Sequence, residues 1–262
     1  MTSSPLILGH RGASAVAPEN TLAAFTRAIR DGADGIEFDV RLSRDQVPVV
    51  IHDATLKRTG LIDRAICELT ALELKEIDVG RWFAERRQTG ANAFRGEKLP
   101  TLAQVFDIFS ENLGVLYIEL KCHPRMGGAL AAEVVGLSRE SQIANRVVIE
   151  SFDLAAIAAV KRIDPGIRTA ALFEPKLSRP ISAIRRLNMI NVALGVGADE
   201  IALHHTLANT RVIERAKRER LEVVVWTVDD PDWILRARSL GIKALIANDP
   251  AMMVRHRNTA SL

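Results

Sequence analysis

Cysteine is nearly absent: Cys67 and Cys122 are the only two in 262 residues. Two thiols do not make a disulfide framework, so packing must hold the fold. Cys122 follows Lys121 at an expected strand end and reads as a reduced structural thiol. Aromatic residues make up only 5% of the chain, too few to suggest a base-stacking surface. No sign of charge dominates, since 35 Lys+Arg face 32 Asp+Glu, and the basic residues are scattered over helices. A nucleic-acid partner is therefore not expected. No apolar run reaches the ~18 residues needed to cross a bilayer, so no transmembrane segment is expected. The opening Met1-Thr2-Ser3-Ser4-Pro5 has no basic region, and the apolar run behind it is too short for a secretory signal. A cytoplasmic protein is the expectation. GxGxxG and P-loop sequences are also missing, which counts against a nucleotide-binding open sheet.

What the chain does have is a regular alternation of apolar runs and amphipathic stretches. Parallel strands are predicted at 6–10, 34–40, 115–120, 146–150, 168–173, 199–203, 222–227 and 243–247. Helical patterns lie between them, at 19–31, 102–112, 128–139, 154–163, 207–220 and 233–240. Eight strands with intervening helices predict an α/β fold, the (β/α)8 TIM barrel, spanning 1–262 as a single catalytic domain. A doubly wound open sheet is the structural alternative. The run 47–51 follows the second strand after a short polar turn, too short for a parallel crossover. It predicts an antiparallel hairpin return that carries His52 back to the barrel rim. Residues 54–100 exceed a plain connection and predict a small insertion over the mouth, with mixed helical character at 61–74. The last residues, 256–262, read as frayed.

The chemistry gathers at strand ends. His10, Glu37, Asp39, His52 and Glu119 each close or nearly close an apolar run. Burying such groups costs several kcal/mol unless charge is compensated. Glu37 and Asp39 stand two apart, which on a strand puts both on one face. Two such charges repel unless a cation lies between them. Pairing with Arg41 or Lys121 is the alternative, but Glu119 on the next parallel strand favours a metal. Oxygen-only ligands suit Mg²⁺ or Ca²⁺. Histidines beside that cation suit proton transfer. Arg11, between His10 and Gly12, and Lys121, after Glu119, are candidate phosphate-binding cations. Glu19 or Asn20 can reach the site residues, while Asn20 or Thr21 can cap the following helix. Trp226 is a candidate substrate wall, with barrel packing as the other reading. His204 and His205 read as supporting or solvent-facing.

These segments resemble the glycerophosphodiester phosphodiesterase family. The resemblance is carried by His10-Arg11-Gly12, Ala17-Pro18-Glu19-Asn20-Thr21, Glu37-Phe38-Asp39-Val40, His52-Asp53, Leu99-Pro100-Thr101-Leu102, Ile118-Glu119-Leu120-Lys121, Ser151-Phe152-Asp153 and Trp226-Thr227-Val228-Asp229, in family order. It implies a (β/α)8 barrel with a small insertion and hydrolysis of a small-molecule glycerophosphodiester to glycerol 3-phosphate and an alcohol. It implies Glu37, Asp39 and Glu119 as metal ligands, His10 and His52 as acid and base, and Arg11 and Lys121 on the phosphate. The stretch Ala54-Thr55-Leu56-Lys57-Arg58-Thr59-Gly60 departs from the family pattern, which bears on substrate preference. Two other functions compete. One is a phospholipase D-like or lysophospholipid phosphodiesterase on the same barrel, with Leu61, Ile62, Trp82 and Phe83 as an apolar lip. The other is a catalytically inactive barrel that binds phosphorylated ligands.

Overall fold

Eight parallel strands close on themselves. A computed structural model describes residues 4–87, 93–111, 114–121, 127–175 and 183–259. Its strands are β1 (Leu6–His10), β2 (Gly35–Leu42), β3 (Pro48–Val50), β4 (Val115–Leu120), β5 (Val147–Ser151), β6 (Arg168–Phe173), β7 (Glu200–His204), β8 (Glu222–Trp226) and β9 (Ala244–Ala247). Its helices are α1 (Leu22–Arg30), α2 (Ala71–Lys75), α3 (Arg81–Arg87), α4 (Leu102–Ser110), α5 (Gly127–Glu140), α6 (Leu154–Ile163), α7 (Ala183–Gly195), α8 (Thr210–Arg218), α9 (Asp232–Leu240) and α10 (Pro250–Thr259). β1 pairs in parallel with both β2 and β9, which leaves the sheet no open end. The molecule is thus a (β/α)8 TIM barrel, and the open-sheet alternative is excluded. Cys122 lies outside the described residues. Among the described residues no helix is long and apolar enough to cross a membrane.

Strand alternation makes two apolar layers. On β2, Ile36, Phe38 and Val40 point outward and pack with Phe25 of α1 and Leu102 and Phe106 of α4. Leu8, Tyr117, Val148, Leu172, Val224 and Ile246 fill the barrel interior. The far end of the interior is polar. Glu200 is fully buried there, bonded by the Tyr117 hydroxyl (2.7 Å), Lys243 (2.7 Å) and Arg168 (2.8 Å). Such partners offset the cost of burying a charged carboxylate.

The extra strand β3 runs antiparallel to β2, with Val40 opposite Val50. Ile51 then donates its N–H to the Asp39 carbonyl at 2.9 Å, so His52 arrives beside Asp39. Beyond it, Leu56, Ile66, Leu69, Leu74, Val79 and Leu99 pack on Val49 and Ile51, so the excursion shares a small core with β3.

Three local expectations change. The 61–74 stretch holds only the 3₁₀ turn Ile66–Glu68 and the start of α2, because the Thr70–Glu73 capping box begins that helix at Ala71. Helix α8 runs Thr210–Arg218 rather than over 207–220, because the Asn209 side chain accepts from the Val212 N–H (3.1 Å) and caps it there. Residues 256–259 are helical, not frayed: Arg257 pairs with Asp34 and donates to the Pro5 carbonyl.

Backbone proximity near the barrel seam is tight at Gly35, where an added Cβ would lie 2.1 Å from the Val115 carbonyl oxygen. Gly35→Ala should destabilise by about 1–3 kcal/mol, as overpacking does. Gly136, inside α5, faces open space, and Gly136→Ala should stabilise by roughly 0.5–1 kcal/mol. Opposite shifts of Tm in thermal unfolding check the pair.

Candidate active site

The three carboxylates meet as expected. Glu37, Asp39 and Glu119 are buried, and one ligand oxygen from each lies within 4.8 Å of the others. Parallel pairing sets Asp39 directly across from Glu119, which fixes both on the inner face. Three hard oxygen donors in this arrangement could hold a divalent cation. Their electrostatics fit the same reading. Burial works against charge on Asp39, but Lys121, Arg11 and the Asn20 amide hold it well below the usual carboxylate range. Burial, then the charges of Asp39 and Glu119, push Glu37 well up. Burial and Asp39 push Glu119 up to about 8. One cluster member therefore carries charge easily, and its neighbours need a further cation to do so.

Arg11 and Lys121 stand inside this cluster. Arg11 donates to Glu19 (Nη1–Oε1, 2.8 Å), lies 3.2 Å from Asp39, and gives its backbone N–H to Glu37. Its φ of 54° lies in the left-handed region, the turn that closes β1. Lys121 Nζ is 2.8 Å from Glu119 and 3.2 Å from Asp39. Arg41 donates to the His52 carbonyl (2.9 Å) and the Lys121 carbonyl (3.2 Å), so it fixes rim backbone.

Both halves of the Glu19-Asn20-Thr21 expectation are met at once. Thr21 caps α1 by accepting from Ala24. Asn20, at φ 58°, donates to Asp39 Oδ2 at 2.8 Å. Helix α1 starts at Leu22, not at 19, because Glu19 and Asn20 are turned into the site.

The two histidines have different partners. His10 Nδ1 is 2.7 Å from Asn248 Oδ1. Asn248 donates its own amide to Asp229 (2.6 Å), so its oxygen faces His10 and must accept. His10 therefore carries its proton on Nδ1, and Nε2 looks at Glu37, 3.9 Å away. Burial and the Arg11 charge pull His10 down to about 4. His52 Nδ1 instead faces a carboxylate, Asp53, at 2.7 Å. Burial raises Asp53, but Arg58 (2.7 Å) and His52 outweigh it and hold it at about 2. Arg58 also makes two 2.8 Å bonds to Glu19, which ties the excursion to the rim. His52 itself is lowered by burial, with Asp39 and Asp53 opposing.

One cavity of about 840 Å³, counting its open mouth, is lined by His10, Arg11, Glu37, His52, Glu119 and Lys121. Trp226 lines it too, edge-on to Phe152 at 5.5 Å and to His204 at 5.3 Å. Trp226 is thus a wall of the cavity. His205 bonds the Thr227 carbonyl and stacks on His204 behind that wall. Of the four apolar lip candidates, Leu61 and Ile62 are exposed. Trp82 and Phe83 are buried, because Trp82 donates to the Val79 carbonyl and Phe83 packs on Phe94.

The sequence patterns gave no individual site role to Asn248, Asp229, Arg58, Glu150, Phe152 or Glu174, although Phe152 and Asp229 lie in segments that carry the family resemblance and Arg58 in the stretch that departs from it. Signals existed for some. Asn248 directly follows β9, Glu150 sits at the end of β5 opposite Glu119, and Asp229 follows Trp226-Thr227. No local pattern points to Arg58, which reaches its partners only through the fold of the excursion.

A mouth of this kind suits attack on phosphorus with charge neutralised on every side, and the class it defines is the barrel phosphodiesterases. The chain belongs to the glycerophosphoryl diester phosphodiesterase family, whose sequence profile matches residues 10–252. A glycerophosphodiester phosphodiesterase of Caldanaerobacter subterraneus subsp. tengcongensis is 31% identical over 251 residues, covering 95% of this chain and 96% of that protein. A crystal structure of glycerophosphodiester phosphodiesterase from Agrobacterium tumefaciens superposes with TM-score 0.78 at 26% identity, over 96% of this chain and 99% of that one. An Oleispira antarctica phosphodiesterase, solved with the product sn-glycerol-3-phosphate, has TM-score 0.84 at 24% identity, with 97% of each chain covered, and shares the fold.

The raised carboxylates make a prediction about metal binding. Glu119 stands at about 8, and Mg²⁺ or Ca²⁺ requires the ionised form. Between pH 6 and about 8, affinity should rise with pH, by up to about tenfold per unit for one displaced proton. Calorimetric titration in buffers of different ionisation enthalpy should record proton release. A pH-independent affinity would contradict the carboxylate assignment.

Proposed function

We propose that this protein hydrolyses glycerophosphodiesters to glycerol 3-phosphate and an alcohol, with one divalent cation, Mg²⁺ or Ca²⁺, held by Glu37, Asp39 and Glu119. The observation that carries the reading is the pair of histidines that line one cavity with the carboxylate cluster, their Nδ1 atoms held by Asn248 and Asp53. Family membership supplies the substrate class. When bound, the cation neutralises a phosphate oxygen and strengthens attack on phosphorus.

The residues divide the remaining work. Arg11 and Lys121 line the cavity and orient the phosphate, trading part of their carboxylate contacts for it. His10 is the base. Its Nδ1–H is committed to a neutral amide, so the ring rests neutral with a lone pair on Nε2. The nucleophile, water or the neighbouring glycerol 2-hydroxyl, hands its proton there as its oxygen bonds phosphorus; in the second case a cyclic phosphate forms, which water then opens to glycerol 3-phosphate. His52 is the acid. The ionised Asp53 stabilises its imidazolium, and its Nε2–H protonates the departing alkoxide as the P–O bond breaks. Arg58 keeps Asp53 charged and in place. Trp226 and Phe152 bound the side through which the alcohol leaves.

Incubation with glycerophosphocholine and enzymatic detection of glycerol 3-phosphate tests the function. Excess chelator should abolish turnover, and Mg²⁺ or Ca²⁺ should restore it; unchanged turnover in chelator would refute the cation's role. His10→Ala and His52→Ala should each cut kcat by about 10²–10⁴ with little change in KM.

The acid–base assignment has a sign that pH profiles can read. His10 must be neutral to act, and its low value means that, with the cation kept saturating at every pH, kcat/KM should fall off only as pH drops toward about 4. Asp53→Asn removes the charge that favours the His52 imidazolium. The basic limb of the kcat profile should therefore move to lower pH, while the acidic limb stays. Movement of the acidic limb instead would reverse the two roles.

A further inference from the structure

Glu150 is a cavity-facing carboxyl to which this mechanism gives no task. It stands opposite Glu119 in the β4–β5 register, so both side chains share the inner face. Glu150 is 1% exposed, and its Oε2 has no hydrogen-bond partner among the described residues. Such orphaned buried oxygens are uncommon in proteins and call for a partner. Glu150 lies outside the trio whose ligand oxygens sit within 4.8 Å of one another, so it is not part of the cation cluster. It lines the same cavity as His10 and Glu119, together with Leu172 and Ile246, both buried. Glu150 has the carboxyl of Glu119 on one side and the aliphatic Leu172 and Ile246 lining the same cavity, a setting that matches a short carbon chain ending in a hydroxyl.

The cavity has two unlike sides. Phe152 and Glu174 are solvent-exposed, and an open side tolerates variation in what it receives. Glu150, Leu172 and Ile246 are buried, and a closed side with a polar atom in want of a partner discriminates. A glycerophosphodiester has one moiety that varies, the alcohol, and one that does not, the glycerol. We propose that Glu150, with Leu172 and Ile246, forms the glycerol subsite, and that its free oxygen bonds the terminal hydroxyl farthest from phosphorus. This rests on the glycerophosphodiester reading above and adds to it the group that recognises glycerol.

The test uses the product and an analogue lacking only that hydroxyl. Glycerol 3-phosphate and 1,2-propanediol 1-phosphate are titrated calorimetrically into the Mg²⁺-loaded protein. Wild type should prefer glycerol 3-phosphate by about tenfold, the scale of one buried hydrogen bond. Glu150→Leu should erase the preference by weakening glycerol 3-phosphate alone, with Mg²⁺ affinity unchanged. Glu150→Gln keeps a hydrogen-bonding end and should retain most of it. Glu150→Ser, polar but too short to reach, should behave as the leucine variant does. Three outcomes would overturn the proposal: no preference in wild type, a preference that survives Leu or Ser, or Mg²⁺ affinity that falls in step with it. Turnover of glycerophosphocholine by wild type is scored separately. Its absence would sink the proposed function, whereas an altered discrimination confined to the variants speaks only to Glu150.

Discussion

Three carboxylates pressed together at the mouth of a barrel impose the constraint that organises this molecule. Like charges in a buried setting repel strongly unless cations stand among them. The chain answers with Arg11 and Lys121, each contacting Asp39 from a different strand end. Asn20 completes the cage around Asp39, which is why α1 begins later than its sequence pattern suggests. The compensation remains incomplete, since Glu37 and Glu119 are still pushed up. That residual strain is what a divalent cation would relieve, so the same crowding that costs stability creates affinity for metal.

The surrounding polar network then differentiates two histidines that look alike in the sequence. One leans on an amide whose orientation is locked by Asp229, the other on a carboxylate locked by Arg58. A neutral acceptor favours a neutral ring, and a charged acceptor favours an imidazolium. The two rings thus differ in their partners and not in their own chemistry. Arg58 belongs to the excursion after β3 and yet bonds Glu19, which in turn bonds Arg11. The excursion is therefore wired into the acidic rim and does more than cover it.

The opposite end of the barrel solves the same electrostatic problem without a metal. Glu200 is buried as deeply as Asp39 and is raised by burial, with bonds from Lys243, Tyr117 and Arg168 opposing that rise. The two ends of one interior thus differ: the rim gathers three carboxylates, and the base holds one carboxylate between two cations. This division follows from the barrel itself, where strand C-termini and the loops after them gather at one face.

Much was legible in the residues alone. The alternation of strand and helix patterns gave the barrel, because each βα unit repeats the same hydrophobic period. The Glu37-x-Asp39 spacing and the strand-end positions of His10, Glu119 and His52 gave the cluster, because side chains two apart on a strand share a face. Local pattern could not reveal partners contributed from far along the chain. Asn248 meets His10 across 238 positions, and Glu19 meets Arg58 across 39. Nor could it show that Trp82 and Phe83 are buried while Phe152 opens onto the cavity, since burial depends on what packs above a residue and not on its own hydrophobicity. The sequence by itself determined which ionisable groups stand at the strand ends and the closed sheet that gathers them. Only the tertiary structure decided which partners each of them meets, because those are set by distances between charges that strand order brings together.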